Sequence, residues 1–276
     1  MLETAPIGVF DSGYGGLTIL SEIRKLLPEY DFIYLGDNAR APYGNRSFDV
    51  IYDFTLEAVR FLFEKGSPLV IIACNTASAK ALRSIQQNDL PNISKEKRVL
   101  GVIRPSTEEI GNLTKTKHVG ILGTTGTIQS GSYEIELNKF APEITVTQHA
   151  CPMWVPLIEN NRHNSLAGRI FIEEDVKALI GKDPQIDTIV LACTHYPVLQ
   201  ALIEEMLGNS IRVISQGPIV AEKLADYLSR HPEIDKCLTK LGSIRYFTTE
   251  NNQVFDQKAS QFLGQDIQSE HVEIVS

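Results

Sequence analysis

The stretch LVIIACNTASA, residues 69–79, decides how the chain is read. Four large apolar residues, mostly β-branched, are followed by alanine and cysteine, and small polar residues then begin. A short, continuously apolar run of this kind reads as a strand buried on both faces, as in a parallel sheet covered by helices. The same arrangement returns in DTIVLACTHYPVL, residues 187–199, where a second apolar run ends on Ala-Cys-Thr. Cys74 and Cys193 thus occupy the same point of the same local pattern.

Further runs of this type are IGVF (7–10), DFIYLG (31–36), VLGVI (99–103), HVGILG (118–123), ITVTQ (144–148), IRVI (211–214) and IRYFT (244–248). Helix-length amphipathic segments separate them, which predicts an α/β protein with mostly parallel sheets. The clearest helix is predicted over 49–65, with Ser47 as its N-cap and Gly66 as its stop. A second spans 199–207 and ends at Gly208.

The pattern also repeats over a longer range. IGVFDSGYGG (7–16) precedes the Cys74 strand much as VGILGTTGT (119–127) precedes the Cys193 strand. Each half therefore offers one strand ending in small polar residues and one ending in cysteine. This predicts two pseudo-symmetric lobes facing each other across a cleft. The polar stretch QNDLPNISKEKR (87–98) and GNS (208–210) suggest the divisions. One lobe is expected from 1–97 with 211–276, and the other from 98–210.

Composition narrows the function classes. The chain has 276 residues, is 43% hydrophobic and carries a formal net charge of −8. No run approaches the roughly 20 apolar residues of a membrane span. No basic cluster marks nucleic acid as the main partner. The N-terminus, without a basic leader, reads as cytoplasmic. Four cysteines in a chain of this size do not describe a disulfide scaffold, and Cys151 and Cys237 read as incidental. No zinc-type spacing and no second Cys/His cluster is evident, so no metal is expected.

Ligands of open α/β sheets bind beyond the carboxyl ends of the strands. Four polar motifs fall there: Asp11-Ser12-Gly13, Asp37 with Pro42-Tyr43-Gly44, Cys74-Asn75-Thr76, and Cys193-Thr194-His195. The glycines of DSGYGG fit neither common nucleotide-loop spacing. A pair of thiols on facing lobes suits proton removal from one face of a carbon and return to the other. A free thiol has a pKa of about 8.5, close enough to neutrality to serve as base and acid. Asp11, Glu159 and His195 are candidates to orient the thiols or exchange protons with them. Ser12, Asn75, Thr76, Thr124 and Thr194 supply hydroxyls and amides for carboxylates, and Asp11 or Asp37 is available for an ammonium group. An amino acid fits this inventory better than a phosphate ester.

On these residues the sequence resembles the glutamate racemases of the aspartate/glutamate racemase superfamily. The matching pieces are IGVFDSGYGGLT, YLGDNARAPYG, ACNTASA, GTTGTIQSGSY, CPMWVPLIE and ACTHYPVL. The resemblance implies cofactor-independent interconversion of L- and D-glutamate for peptidoglycan, by a homodimer without pyridoxal phosphate. It implies that Cys74 serves the D-enantiomer with Asp11, and that Cys193 serves the L-enantiomer with His195 and Glu159. Ser12, Tyr43, Gly44, Asn75, Thr76, Thr124 and Thr194 would hold the substrate. The chain departs from the family at Arg104-Pro105-Ser106, where an acidic residue and Pro-Gly are common, at Ala192, and in ISQGPIVA (214–221). Racemisation of aspartate or a hydantoin, or a non-catalytic amino-acid-binding or thiol-sensing role, are the alternative readings.

Overall fold

The computed structural model describes residues 5–274 and contains ten strands among them. They are β1 (Ile7–Asp11), β2 (Phe32–Gly36), β3 (Leu69–Ile72), β4 (Arg98–Gly101), β5 (His118–Gly123), β6 (Thr145–Ala150), β7 (Thr188–Ala192), β8 (Arg212–Ser215), β9 (Ile244–Thr248) and β10 (Ser269–His271). Six form one sheet in the order β10-β9-β2-β1-β3-β4, and four form a second in the order β6-β5-β7-β8. Every pairing is parallel.

The apolar runs became these strands because both faces of each sheet are covered. In the larger sheet the pleat sends Ile7, Val9, Tyr34 and Ile71 to one core, shared with Leu224 and Leu228 of the helix Gly217–Arg230. Phe10, Ile33, Leu35 and Ile72 point the other way, onto Val59 and Leu62 of the helix Phe48–Glu64. Alternate residues on opposite faces, all apolar, are what a doubly covered sheet requires. The smaller sheet repeats the scheme, with Ile189 and Leu191 on one side and Val190 and Ala192 on the other. Ser47 caps the predicted helix by accepting from the Val50 N–H at 3.5 Å, and Gly66 adopts φ 92° beyond its end.

Two expectations need correction. The divisions at 97/98 and 210/211 each fall one strand early. β4 pairs with β3, so it belongs with the first sheet, and β8 pairs with β7, so it belongs with the second. The chain crosses between sheets after these strands, through the helices Ile103–Leu113 and Gly217–Arg230. Polar composition marked nearby loops; strand pairing sets the actual division. β10 was also unforeseen. Its sequence, Ser-Glu-His, has no apolar run, and it sits as a three-residue edge beside β9.

No helix among the described residues is long and apolar enough to cross a membrane.

Asp187, at the entry to β7, holds the turn before β5. It accepts from Thr114 Oγ1 at 2.6 Å, Lys115 N at 2.7 Å and Thr116 N at 2.9 Å. Burial raises its pKa, but these donors outweigh it and leave the carboxyl at about 2. A depressed carboxyl stabilises the fold above its ordinary value near 3.8, and that contribution disappears as pH falls through about 2. Asp187→Ala should cost about 1–3 kcal/mol in denaturant unfolding at neutral pH, because the donors lose their acceptor. The gap between variant and wild type should narrow towards pH 2; an equal gap at both pH values would contradict this reading.

Candidate active site

Strand register places the two thiols. In the first sheet Phe10 pairs with Ile72, so two further steps set Ser12 beside Cys74. Ser12 Oγ lies 3.4 Å from Cys74 Sγ. In the second sheet Gly123 pairs with Ala192, so one further step sets Thr124 beside Cys193. The repeat in the sequence is therefore a repeat of geometry. In each sheet a strand end bearing a hydroxyl adjoins a strand end bearing a thiol, at the carboxyl edge of β1 and β3 in the first and of β5 and β7 in the second.

Both thiols open onto one cavity of about 70 Å³ between the sheets. Ser12, Pro42, Tyr43, Gly44, Asn75 and Thr76 line it from the first sheet's side. Thr124, Glu159, Thr194 and His195 line it from the second. None of the residues lining the cavity is Lys or Arg.

Contacts between the two halves fix its width. Thr76 and Thr124 hydroxyls are 2.9 Å apart, Thr194 Oγ1 donates to Asp11 Oδ2 at 3.2 Å, and Gly126 N donates to Gly44 O at 2.8 Å. The approach is so close at Gly15 that a Cβ there would stand 2.3 Å from Thr194 Oγ1 and 2.5 Å from His195 Nδ1. Only glycine fits this contact.

Two expected residues do not reach the cavity wall. Asp11 is fully buried behind it, accepting from Gly13 N at 2.9 Å as well as from Thr194. Asp37 is likewise fully buried, and its oxygens are already engaged by Arg40 Nε at 2.7 Å, Thr249 Oγ1 at 2.8 Å and the Tyr43 hydroxyl. The expectation that Asp37 meets an ammonium group is corrected. A buried carboxylate with an arginine partner is satisfied, and here it braces the turn that presents Tyr43 and Gly44. Conversely, Cys151, Pro152, Val155 and Pro156 line the cavity without having been singled out as site residues. Cys151 read as incidental because its neighbours are apolar; it packs with Leu122 and Trp154 while still touching the cavity wall. Arg104 does not line the cavity; it is exposed and pairs with Glu108 at 3.0 Å.

The surroundings of the two thiols differ electrically. Burial, reinforced by the nearby Asp11 carboxyl, pushes the Cys74 thiol up to about 12. Burial also raises Asp11, against the opposing pull of His195, the Gly13 and Gly16 N–H groups and Thr194. On the other side His195 Nε2 lies 3.0 Å from Glu159 Oε1. Burial lowers the His195 pKa, but Cys193 and Glu159 outweigh it and raise the imidazole to about 10. Burial raises Glu159, yet His195 and Lys258 leave it below its ordinary value. Near neutrality Cys74 is thus a protonated thiol, while Cys193 faces an imidazolium–carboxylate pair.

Among the described residues one group of three metal-competent side chains exists, His149, Cys151 and Asp175, with donor atoms within 4.8 Å of one another. The sequence had shown no such cluster, because Asp175 comes from a distant helix. Its atoms are already paired: His149 Nε2 lies 2.9 Å from Asp175 Oδ1, and Lys182 Nζ lies 3.3 Å from His149 Nδ1.

Parallel sheets meeting at their carboxyl edges around two thiols define a class of protein, and comparison with known proteins agrees. Residues 16–224 match the Asp/Glu/Hydantoin racemase family model. The glutamate racemase of Streptococcus suis is 37% identical over 275 residues, covering 99% of this chain and 100% of its own. That of Streptococcus equi subsp. equi is 38% identical, covering 98% and 99%. Among solved structures, a Bacillus anthracis glutamate racemase superposes with TM-score 0.89 at 35% identity, covering 99% of this chain and 98% of its own. The Francisella tularensis glutamate racemase, solved with D-glutamate, gives 0.85 at 32%, covering 99% of both chains. The chain belongs to the Asp/Glu/Hydantoin racemase family.

The pairing of His195 with Glu159 has a direct check. A raised imidazole pKa stabilises the fold fully below the unfolded value near 6.5, and this is lost as pH rises through about 10. By NMR, the wild-type His195 ring should titrate near 10, and in Glu159→Gln its midpoint should drop towards the ordinary value. An unchanged midpoint in the variant would show that Glu159 does not hold the charge.

Proposed function

We propose that this protein interconverts L- and D-glutamate, using the Cys74 and Cys193 thiols as the two acid/base groups and no cofactor. Full-length similarity to glutamate racemases supports the substrate. The observation that carries the mechanism is the matched seating of the two thiols at the carboxyl edges of facing sheets, around one cavity.

In this reading L-glutamate lies between the thiols, with its ammonium and carboxylates held by Ser12, Tyr43, Gly44, Asn75, Thr76, Thr124 and Thr194. The Cys193 sulfur, as thiolate, takes the α-proton; the C–H bond breaks and its electron pair remains on the α-carbon. The Cys74 S–H then gives its proton to the opposite face of that carbon, and D-glutamate results. Cys193 ends protonated and Cys74 ends as thiolate, which is the arrangement needed to take the proton from D-glutamate. The raised pKa values of Cys74 and His195, which favour a Cys74 thiol and an imidazolium beside Cys193, suit entry of the L-enantiomer. In this reading His195 with Glu159, which line the cavity, exchange protons between Cys193 and solvent, while Asp11, buried behind the wall, acts on Cys74 through its charge. Hydroxyl and amide donors, with no Lys or Arg in the cavity wall, hold the substrate's carboxylates in this reading.

The biological role in this reading is supply of D-glutamate for peptidoglycan in the cytoplasm. The working form is a homodimer. Leu166, Ile170 and Phe171, exposed along one end of the helix Leu166–Lys182, are the kind of apolar surface a second copy would cover. Sedimentation velocity should find two copies, and a monomer at working concentration would remove this part of the proposal.

Cys74→Ala and Cys193→Ala should each lower racemisation of glutamate by about 10²–10⁴-fold or more, the usual weight of a general acid or base. Aspartate should be turned over far more slowly than glutamate by the wild type. Near-normal racemisation in either cysteine variant would overturn the two-thiol mechanism, and preference for aspartate would overturn the substrate assignment.

A further inference from the structure

Asn75 follows Cys74 and lines the same cavity, and its side-chain amide belongs to a closed ring of hydrogen bonds. Asn75 Nδ2 donates to Gln216 Oε1 at 2.7 Å. Gln216 Nε2 donates to the Tyr133 hydroxyl at 2.9 Å, and that hydroxyl donates to Asn75 Oδ1 at 2.8 Å. Each member donates once and accepts once around the ring. The second Gln216 N–H is taken by Ser106 Oγ at 2.8 Å, with Val102 O at 3.2 Å alongside. We propose that Gln216 is a positioning residue for the racemase reaction: it locks the Asn75 amide with an N–H towards the substrate, and ties that orientation to the two places where the chain crosses between sheets.

The chemistry of the ring carries the first half. An amide group offers two N–H donors and a carbonyl acceptor. The ring consumes the Asn75 carbonyl and one N–H, leaving the other N–H outside the ring on a residue that lines the cavity. Turning the Asn75 amide over would set its oxygen against Gln216 Oε1 and its nitrogen against the Tyr133 hydroxyl hydrogen. Gln216 cannot turn to compensate, because its oxygen would then face Ser106, whose own hydrogen goes to Val102 O at 2.9 Å. Asn75 and Gln216 are each 2% exposed, and Tyr133 is fully buried. An unmatched amide there is costly, since water is not at hand to satisfy it. The orientation kept by the ring presents a donor, which a substrate carboxylate can accept from; the opposite orientation would present an oxygen and repel it.

Topology carries the second half. Gln216 directly follows β8 and begins the helix Gly217–Arg230, which returns the chain to the first sheet. Val102 and Ser106 lie at the start of the helix Ile103–Leu113, where the chain leaves that sheet. One side chain therefore bridges both crossings and reaches the residue next to a catalytic thiol. Ser106 and Gln216 also lie within two of the three places where this chain departs from the pattern of the family it resembles, and here they touch.

This inference rests on the racemase reading, and its test separates the two. Racemisation and α-proton exchange in D₂O are measured for wild type, Gln216→Met, Tyr133→Phe, Asn75→Ala and the two double variants with Asn75→Ala, with a thermal unfolding curve for each. Gln216→Met keeps the volume without the amide, and Tyr133→Phe breaks the ring from its other side should the first variant fold poorly. Either change should raise the KM for glutamate about tenfold or more with a smaller effect on kcat, as expected for a lost donor to a charged ligand. Once Asn75 is alanine, the same change should alter kcat/KM by less than about twofold while still lowering the unfolding temperature. An equal loss of kcat/KM with and without the Asn75 side chain would reduce Gln216 to a purely structural part and overturn the proposal. An unchanged KM in both ring variants would do the same. A wild type inert towards both enantiomers would instead overturn the racemase reading beneath it.

Discussion

The structure depends on bringing two parallel sheets together carboxyl edge to carboxyl edge, closely enough that side chains from one complete the surroundings of the other. A parallel sheet gathers its ligand-binding loops at that edge, and one sheet alone could present a thiol to only one side of a small molecule. The contact is made at Gly15, where no side chain fits between the first sheet's loop and Thr194 or His195, and through the hydroxyl pair of Thr76 and Thr124. Asp11 is desolvated by its own sheet and by the strand end that follows β7. The site is thus a property of the joint between the sheets. This explains why its polar groups are so deeply buried and why they bond across the joint.

The resemblance between the halves stops at the electrostatics. Register gives each thiol a hydroxyl neighbour, Ser12 for Cys74 and Thr124 for Cys193. Beyond that, Cys74 has a buried carboxyl as its companion, and Cys193 has an imidazole clamped by a carboxylate. A low-dielectric setting magnifies such differences. Two geometrically matched thiols therefore sit in electrically different surroundings, as the proposed pairing of one acid with one base would need.

Much of the fold was legible because a strand buried on both faces writes itself as a continuous apolar run. LVIIAC, HVGILG and DTIVLAC could hardly be anything else once helical segments separated them. β10 was invisible for the same reason in reverse, since three polar residues on a sheet edge bury too little to leave a pattern. The division between the halves was misplaced because loops, which are polar anywhere, were read in place of strand pairing. Within the site, residues adjoining the cysteines were legible, because strand ends fix where their successors point. Asp37 was misread because nothing local reveals that Arg40, Tyr43 and Thr249 would already hold it. The ring around Gln216 was beyond reach, as its members come from three separate segments and only the fold assembles them.

The central claim, that two different groups act on opposite faces of one carbon, is tested most directly by the label in the first products formed from L-glutamate in D₂O. Two thiols predict that D-glutamate carries deuterium at the α-carbon from the earliest turnover, while the remaining L-glutamate keeps its protium. The proton removed stays on one sulfur and the one returned comes from the other, already exchanged with solvent. Early D-glutamate retaining the original proton, together with deuterium appearing in unreacted L-glutamate, would mean that a single group serves both faces. That result would contradict the account.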